Sequence, residues 1–211
     1  MKTRRILDLK QGRWLMTLGC LLLAFSSFAL TPSEAFSKAS AKLRGATSLS
    51  ADFSMTLNGS TVKGTIKSKG DKFAIISNVT SNWFDGKELY TLNPSKKQTT
   101  IFRPTKAELI EVNPLLYLQS ASDYKISGTK TKKAGVETVV LIPKSSGSGV
   151  KNVVIDLDSK TLLPKTIKLT PTAGDAIVMN VSNIKLNGSI ADADFKYPKS
   201  KYPNVTIVDM R

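Results

Sequence analysis

The chain has 211 residues, of which 41% are hydrophobic, so it can bury a core and global disorder is excluded. A formal charge of +15 is compatible with a nucleic acid, an anionic membrane surface or an acidic partner. The chain has no histidine, which excludes Ser/His and Cys/His catalysis and zinc sites of the usual ligand set.

Residues 1–29 have the layout of a secretory signal peptide, with a basic segment, an apolar run and small residues at Ser27 and Ala29. An uncleaved membrane anchor is the alternative, but the apolar run is slightly short for a span. Cys20 lies inside this run, and because the sequence stays apolar after it we interpret Cys20 as part of the removed peptide. Cleavage removes five basic residues and Asp8, which lowers the charge from +15 to +11 and leaves no cysteine for disulfide or thiol chemistry.

The predicted domain, residues 30–211, begins with a short helix. Thr31 is its predicted N-cap, Pro32 follows at the first position and Glu34 completes a capping box. Gly45 is a suitable end. Apolar residues recur at helical spacing at Phe36, Ala39 and Leu43.

From residue 49 the apolar period changes to two, which predicts strands with one solvent-facing side. Asn58-Gly59 is a predicted hairpin turn. About ten strands joined by short turns predict an antiparallel meander in one domain of the mostly-β α+β class. The strand segments are 49–57, 62–69, 73–79, 81–84, 88–92, 98–102, 123–127, 137–143, 151–158, 165–170, 176–186 and 205–208.

One helical insertion interrupts this pattern. Thr105 and Glu108 form a second capping-box sequence, and apolar residues follow. Asn113-Pro114 then precedes a dense apolar cluster at 115–118. The sequence therefore predicts one or two short helices over residues 105–120.

The acidic residues do not predict an active site. Asp156 with Asp158, and Asp192 with Asp194, have the spacing of a metal or glycosidase pair, but their context favours solvated surface positions. The lysines are scattered without interleaved aromatic residues, which argues against nucleic-acid binding. They favour solubility, or a surface that attracts an acidic partner or anionic lipid. We expect no enzyme activity, metal or cofactor.

Several segments together resemble the LolA family of periplasmic lipoprotein carriers. Their order and spacing agree over nearly all of residues 30–211, although no single segment is specific. They are Trp83-Phe84-Asp85-Gly86-Lys87-Glu88-Leu89-Tyr90 with Asn93-Pro94, Asn113-Pro114-Leu115-Leu116-Tyr117-Leu118, Val140-Leu141-Ile142-Pro143-Lys144, Asp194-Phe195-Lys196-Tyr197-Pro198 and residues 205–209.

The resemblance implies a half-open antiparallel barrel with a helical lid over a hydrophobic cavity. Residues on the apolar sides of the first strands are the expected cavity lining: Phe53, Met55, Ile66 and Phe73. The expected lid residues are Phe36, Leu43, Leu109, Leu115, Leu116 and Leu118. One position departs from the family, because Gly70 stands where well-studied members carry an arginine that holds the lid closed.

The function implied by the resemblance is transport of triacylated lipoproteins across the periplasm by a monomer. Its partners would be an inner-membrane ABC transporter of the Lol type and an outer-membrane acceptor. The alternatives are a lipid- or lipoprotein-sensing module on the same fold, a β-barrel for a small hydrophobic ligand, and a carboxylate enzyme. Carrier and sensor differ in partners and not in fold, so the sequence leaves both open.

Overall fold

The fold is described from a computed structural model of the chain. It describes residues 30–57, 59–129, 133–145 and 147–211, and for Leu57 the backbone alone. The predicted signal peptide with Cys20, and Asn58 of the first predicted turn, lie outside the described residues.

The first helix, α1, spans Pro32–Arg44, as its capping sequence predicts. The Thr31 hydroxyl accepts the Glu34 amide at 3.2 Å, and the Glu34 carboxylate accepts the Thr31 amide at 2.8 Å. These reciprocal bonds satisfy amide donors that a helix start leaves free. One side of α1 is buried, at Ala35, Phe36, Ala39, Ser40 and Leu43.

The described residues form one sheet of twelve strands, where the sequence predicted about ten. The strands are β1 Leu49–Leu57, β2 Ser60–Lys69, β3 Lys72–Ser77, β4 Ser81–Phe84, β5 Leu89–Asn93, β6 Gln98–Phe102, β7 Tyr124–Ser127, β8 Val136–Pro143, β9 Val150–Asp158, β10 Pro164–Pro171, β11 Ile177–Leu186 and β12 Thr206–Asp209. Their order in the sheet is β12-β6-β5-β4-β3-β2-β1-β11-β10-β9-β8-β7. Within the described part of the chain, the edge strands β7 and β12 do not pair with each other, so the sheet is not a closed barrel.

The predicted antiparallel pattern holds for every strand pair except one. β11 returns to pair antiparallel with β1, which joins the two meanders. β12 instead pairs parallel with β6, with Thr206 opposite Gln98. Parallel pairing needs a crossover connection. Residues 187–205 provide it, and they cross the face of the sheet opposite the helical insert, which we call the outer face.

The helical insert follows β6 and comprises α2 (Lys106–Val112) and two 3₁₀ helices (Pro114–Gln119 and Ala121–Asp123). The predicted capping box is present, because the Thr105 amide donates to Glu108 at 2.7 Å and the Glu108 amide donates to the Thr105 hydroxyl at 3.3 Å. Asn113 ends α2 and caps the longer 3₁₀ helix. The prediction of short helices at this point is confirmed, and the last 3₁₀ turn extends the helical region to Asp123.

The sheet has an apolar cluster on each face. The larger cluster joins nine strands to α1 and the helical insert. The smaller one lies on the opposite face, where Phe195 packs against Ala74, Trp83 and Leu92. Period-two alternation explains the division, since Phe73 belongs to the first cluster and Ala74 to the second. Residues 187–205 therefore cover the outer face, and the helical insert lies over the inner one.

No helix among the described residues is long and apolar enough to cross a membrane.

Candidate functional site

A cavity of about 650 Å³ opens between the inner face of the sheet, the end of α1 and the helical insert. Its volume falls within the range of about 300–1,000 Å³ that small-molecule sites occupy. The apolar part of its wall consists of Leu43, Ala46, Leu49, Phe73, Phe84, Leu109, Ile110, Leu115 and Leu116. An apolar wall of this kind suits a hydrocarbon chain.

Of the four residues predicted to line the cavity, only Phe73 does so. Phe53 and Ile66 are 4% and 1% exposed in the same core cluster, below the wall of the cavity. Met55 is partly buried against that cluster. The Phe53 ring lies over Gly64, where a Cβ atom would come within 2.7 Å of it. Phe53 is thus part of the packed core and not of the cavity wall.

The predicted lid residues divide into two groups. Leu43, Leu109, Leu115 and Leu116 line the cavity. Phe36 and Leu118 are 1% and 0% exposed and belong to the core cluster. The four leucines that line the cavity form part of its wall. Phe36 and Leu118 instead join α1 and the insert to the sheet.

The predicted site residues do not include four apolar residues of the wall: Ala46, Leu49, Phe84 and Ile110. Phe84 could have been found from the strand register, because it pairs with Phe73 across β3 and β4 and their ring centroids lie 5.4 Å apart.

The mouth of the cavity carries basic side chains from four separate elements: Arg44, Lys69, Lys72 and Lys106. Lys69 and Lys72 both lie near Asp192, at 3.1 and 3.8 Å, and Lys69 lowers the pKa of this carboxyl. Lys106 bonds to Asp123 at 2.7 Å and lowers its pKa likewise. Arg44 makes no ion pair with any residue that the structure describes.

Gly70 lies at the mouth, in the two-residue turn between β2 and β3. Its φ is +57°, a conformation that side chains other than glycine rarely adopt, while the space around its Cβ position is open. The turn therefore favours glycine here.

Asn113 is one of three buried polar residues of the cavity wall, with Ser48 and Ser120, and 2% of its surface is exposed. Its Oδ1 accepts the Leu115 amide at 3.2 Å, which fixes the side chain at the start of the 3₁₀ helix. Sequence reasoning used Asn113 only as a break between helices and missed its place in the cavity.

The acidic pairs are engaged in structural contacts. Asp156 accepts Lys133 and the Thr138 hydroxyl, each at 2.7 Å. Asp158 accepts the amides of Thr161 and Lys160 in the turn before β10, which lowers its pKa. Asp194 pairs with Lys67 at 3.1 Å. The described residues contain no group of three or more potential metal ligands.

The family model for "Outer membrane lipoprotein carrier protein LolA" matches residues 25–173 of the sequence. The matched range includes β1 to β10 and the helical insert. No curated protein matches the chain.

Solved structures with similar folds cover most of the chain at low sequence identity. An uncharacterized conserved protein from Thermus thermophilus has a TM-score of 0.57 at 12% identity, over 84% of this chain and 98% of its own. A LolA superfamily protein from Nitrosomonas europaea has a TM-score of 0.43 at 12% identity, over 80% and 99% of the two chains. A putative outer membrane lipoprotein-sorting protein domain from Vibrio parahaemolyticus has a TM-score of 0.44 at 14% identity, over 79% and 96%.

Proposed function

The chain belongs to the LolA family of outer membrane lipoprotein carrier proteins, and on this premise we propose that it carries lipoproteins by enclosing their acyl chains in the cavity. One observation carries the proposal: a cavity of about 650 Å³, walled in part by leucine and phenylalanine side chains, lies beneath the helical insert of this family member. The proposed role is non-enzymatic.

The physical need for such a carrier follows from the lipid anchor. Each CH₂ group buried from water contributes ~0.8 kcal/mol, so an exposed acyl chain holds a lipoprotein in its membrane. A wall of leucine and phenylalanine side chains replaces those membrane contacts. The mouth remains polar, at Arg44 and Lys106 among others, which suits the soluble part of the cargo.

Release requires that the covering element opens. The helical insert consists of a seven-residue α-helix and two shorter 3₁₀ helices. Helices of this length are unstable alone and depend on packing. We propose that the insert is the lid, and that its first helix, which carries Leu109, moves away as acyl chains enter.

The proposed location is the periplasm, after cleavage of residues 1–29. The proposed cargo is triacylated lipoproteins, received by a monomer from an inner-membrane ABC transporter of the Lol type and passed to an outer-membrane acceptor. The family membership supports this assignment.

Extraction of a triacylated, fluorescently labelled lipopeptide from bilayer vesicles tests the proposal. The wild-type protein should move the label into the soluble fraction. Leu116→Asp should reduce this extraction because it places a charge in the cavity wall. Val178→Asp is the matched control, since Val178 is an exposed apolar residue, 37% accessible, in β11 and outside the cavity. Equal loss in both variants, or no extraction by wild type, would contradict the proposal.

Crosslinking in the cell envelope separates the carrier from the sensor. Recovery of an ABC transporter with the chain supports transport. Recovery of a signalling protein in its place favours the sensing module.

A further inference from the structure

The Asn113 side chain has one hydrogen-bonding group already engaged and one that is free. Its Oδ1 accepts the Leu115 amide, so the opposite end of the amide group is the Nδ2 donor. Nδ2 donates to no acceptor among residues 30–57, 59–129, 133–145 and 147–211. Such a donor costs free energy if a ligand excludes water from it without providing an acceptor.

The free donor is not fully buried. Within the described part of the chain, every side-chain nitrogen or oxygen that is fully buried has a hydrogen-bond partner. Nδ2 has none, so it must keep an accessible surface, although Asn113 as a whole is only 2% exposed. Asn113 lines the cavity, and that space supplies the access.

Apolar residues precede and follow Asn113 in the insert, which makes this donor selective. Leu109, Ile110, Leu115 and Leu116 are its neighbours in the insert and line the same cavity. A ligand that offered only hydrocarbon here would leave Nδ2 without water and without a partner. A ligand with an acceptor at this depth would satisfy it.

We infer that Asn113 Nδ2 donates a hydrogen bond to the carbonyl oxygen at the head of an acyl chain, so that the cavity selects acyl esters and amides over plain alkyl chains. The inference rests on the proposed function, because it assumes that the hydrocarbon lies in the cavity. It adds a polar recognition element for the linkage that joins a fatty acid to its carrier molecule.

The position of Asn113 in the insert gives this contact a second consequence. Asn113 ends α2, where its amide donates to the Leu109 carbonyl at 2.8 Å, and it also caps the next helix. A hydrogen bond from Nδ2 to a ligand therefore connects the ligand to the residue at which the two helices meet. Acyl esters should stabilise that junction, whereas chains without a carbonyl should not.

A matched ligand pair tests the inference, namely 1-monopalmitoylglycerol, which has an ester carbonyl, and 1-O-hexadecylglycerol, which has an ether in its place. Calorimetric titration should show about fivefold tighter binding of the ester by the wild type, the expected effect of one hydrogen bond. Equal affinity for both ligands would overturn the inference and leave the proposed function intact. No binding of either ligand would instead refute the proposed function.

Asn113→Asp is the informative variant because it keeps an oxygen that can accept the Leu115 amide and removes the NH₂ donor. In this variant the ratio of the ether Kd to the ester Kd should fall to about one or below. Asn204→Asp is its control, since Asn204 is exposed and outside the cavity and the amide-to-carboxylate change is the same. It should retain the preference. An unchanged preference in Asn113→Asp would overturn the inference.

Nuclear magnetic resonance of the wild-type protein provides a test that does not depend on a folded variant. The side-chain NH₂ signals of Asn113 should shift downfield with the ester and not with the ether. Identical spectra in the two complexes would contradict the hydrogen bond.

Discussion

Leu116 and Leu118 are two residues apart in one 3₁₀ helix, yet the structure assigns them different roles. Leu118 is fully buried in the core cluster, and Leu116 is half-buried and lines the cavity. Truncating each leucine to alanine removes the same atoms. We expect Leu118→Ala to destabilise the fold and Leu116→Ala to weaken ligand binding.

The magnitudes follow from the burial of each side chain. At Leu118 the deletion leaves a void in packed core, which costs about 2–5 kcal/mol of unfolding free energy. At Leu116 it enlarges a cavity that already exists, so a cost of about 1 kcal/mol or less is expected. A ligand loses contact with up to three carbon groups of Leu116, worth ~0.8 kcal/mol each, which corresponds to about four- to sixtyfold in Kd.

Urea unfolding and titration with a palmitoyl ligand measure the two effects separately. Leu118→Ala should lower the urea midpoint with no change in slope, and the fraction that stays folded should bind normally. Leu116→Ala should unfold near the wild-type midpoint and bind weakly. Equal destabilisation by the two variants, or normal binding by Leu116→Ala, would refute the division between core and cavity wall.

Other properties of the chain can be tested in the same way. Gly70→Arg and Gly70→Gln should each lower the unfolding free energy by about 1–2 kcal/mol in urea titrations, because φ at this position is +57°. Slower lipopeptide transfer by the arginine variant than by the glutamine variant would reveal a latch that depends on the guanidinium group. Thr105→Ala should lower the unfolding free energy by about 0.5–2 kcal/mol and raise amide hydrogen exchange in α2, since it removes the cap; unchanged exchange there would contradict this role. Arg211 lowers the pKa of Asp209 from 3.8 to about 2, so this pair stabilises the folded state above about pH 4 and the contribution is lost as the pH falls to about 2. Asp209→Asn should therefore flatten the acid dependence of stability in that window, and an unaltered pH profile would argue against the pair.

Local signals in the sequence predicted the elements of this fold well. The capping sequences at Thr31 and Thr105 start helices where expected, because their bonds form within four residues of chain. Period-two alternation located the strands because one face of the sheet is buried at each. The direction of β12 was not predictable in this way. It depends on the crossover of residues 187–205 and on the packing of Phe195 against the outer face, both of which are long-range contacts.

The candidate site was less predictable than the fold, for a related reason. Alternation shows that Phe53 and Phe73 point to the same side of the sheet, but it does not show which of them the helices cover. Phe53 lies beneath packed side chains and Phe73 at the open space. The basic mouth was also missed, because Arg44, Lys69 and Lys106 are far apart in sequence and meet only through the fold. The position of Asn113 after a capped helix indicated that a helix ends there. It did not indicate that the side-chain NH₂ group would have no partner.

Reversible covering of the cavity depends on how the insert is held in place. The interior residues Leu118 and Tyr117 are almost fully buried, at 0% and 3% exposure, and attach the insert firmly to the core. Helix α2, which precedes them in the chain, buries only Ile110. It also carries Lys106, whose ion pair with Asp123 is exposed. Exposed ion pairs contribute about 1 kcal/mol or less. An acyl chain would therefore meet little resistance in displacing α2, while the 3₁₀ helix behind it stays packed. Opening limited to α2 would keep Asn113, at the hinge between the two helices, in contact with the ligand throughout.

Addition of a palmitoyl ligand should accordingly raise amide hydrogen exchange in residues 106–112 and leave it unchanged in residues 115–119. A rise of equal size in both segments would show that the insert moves as one body.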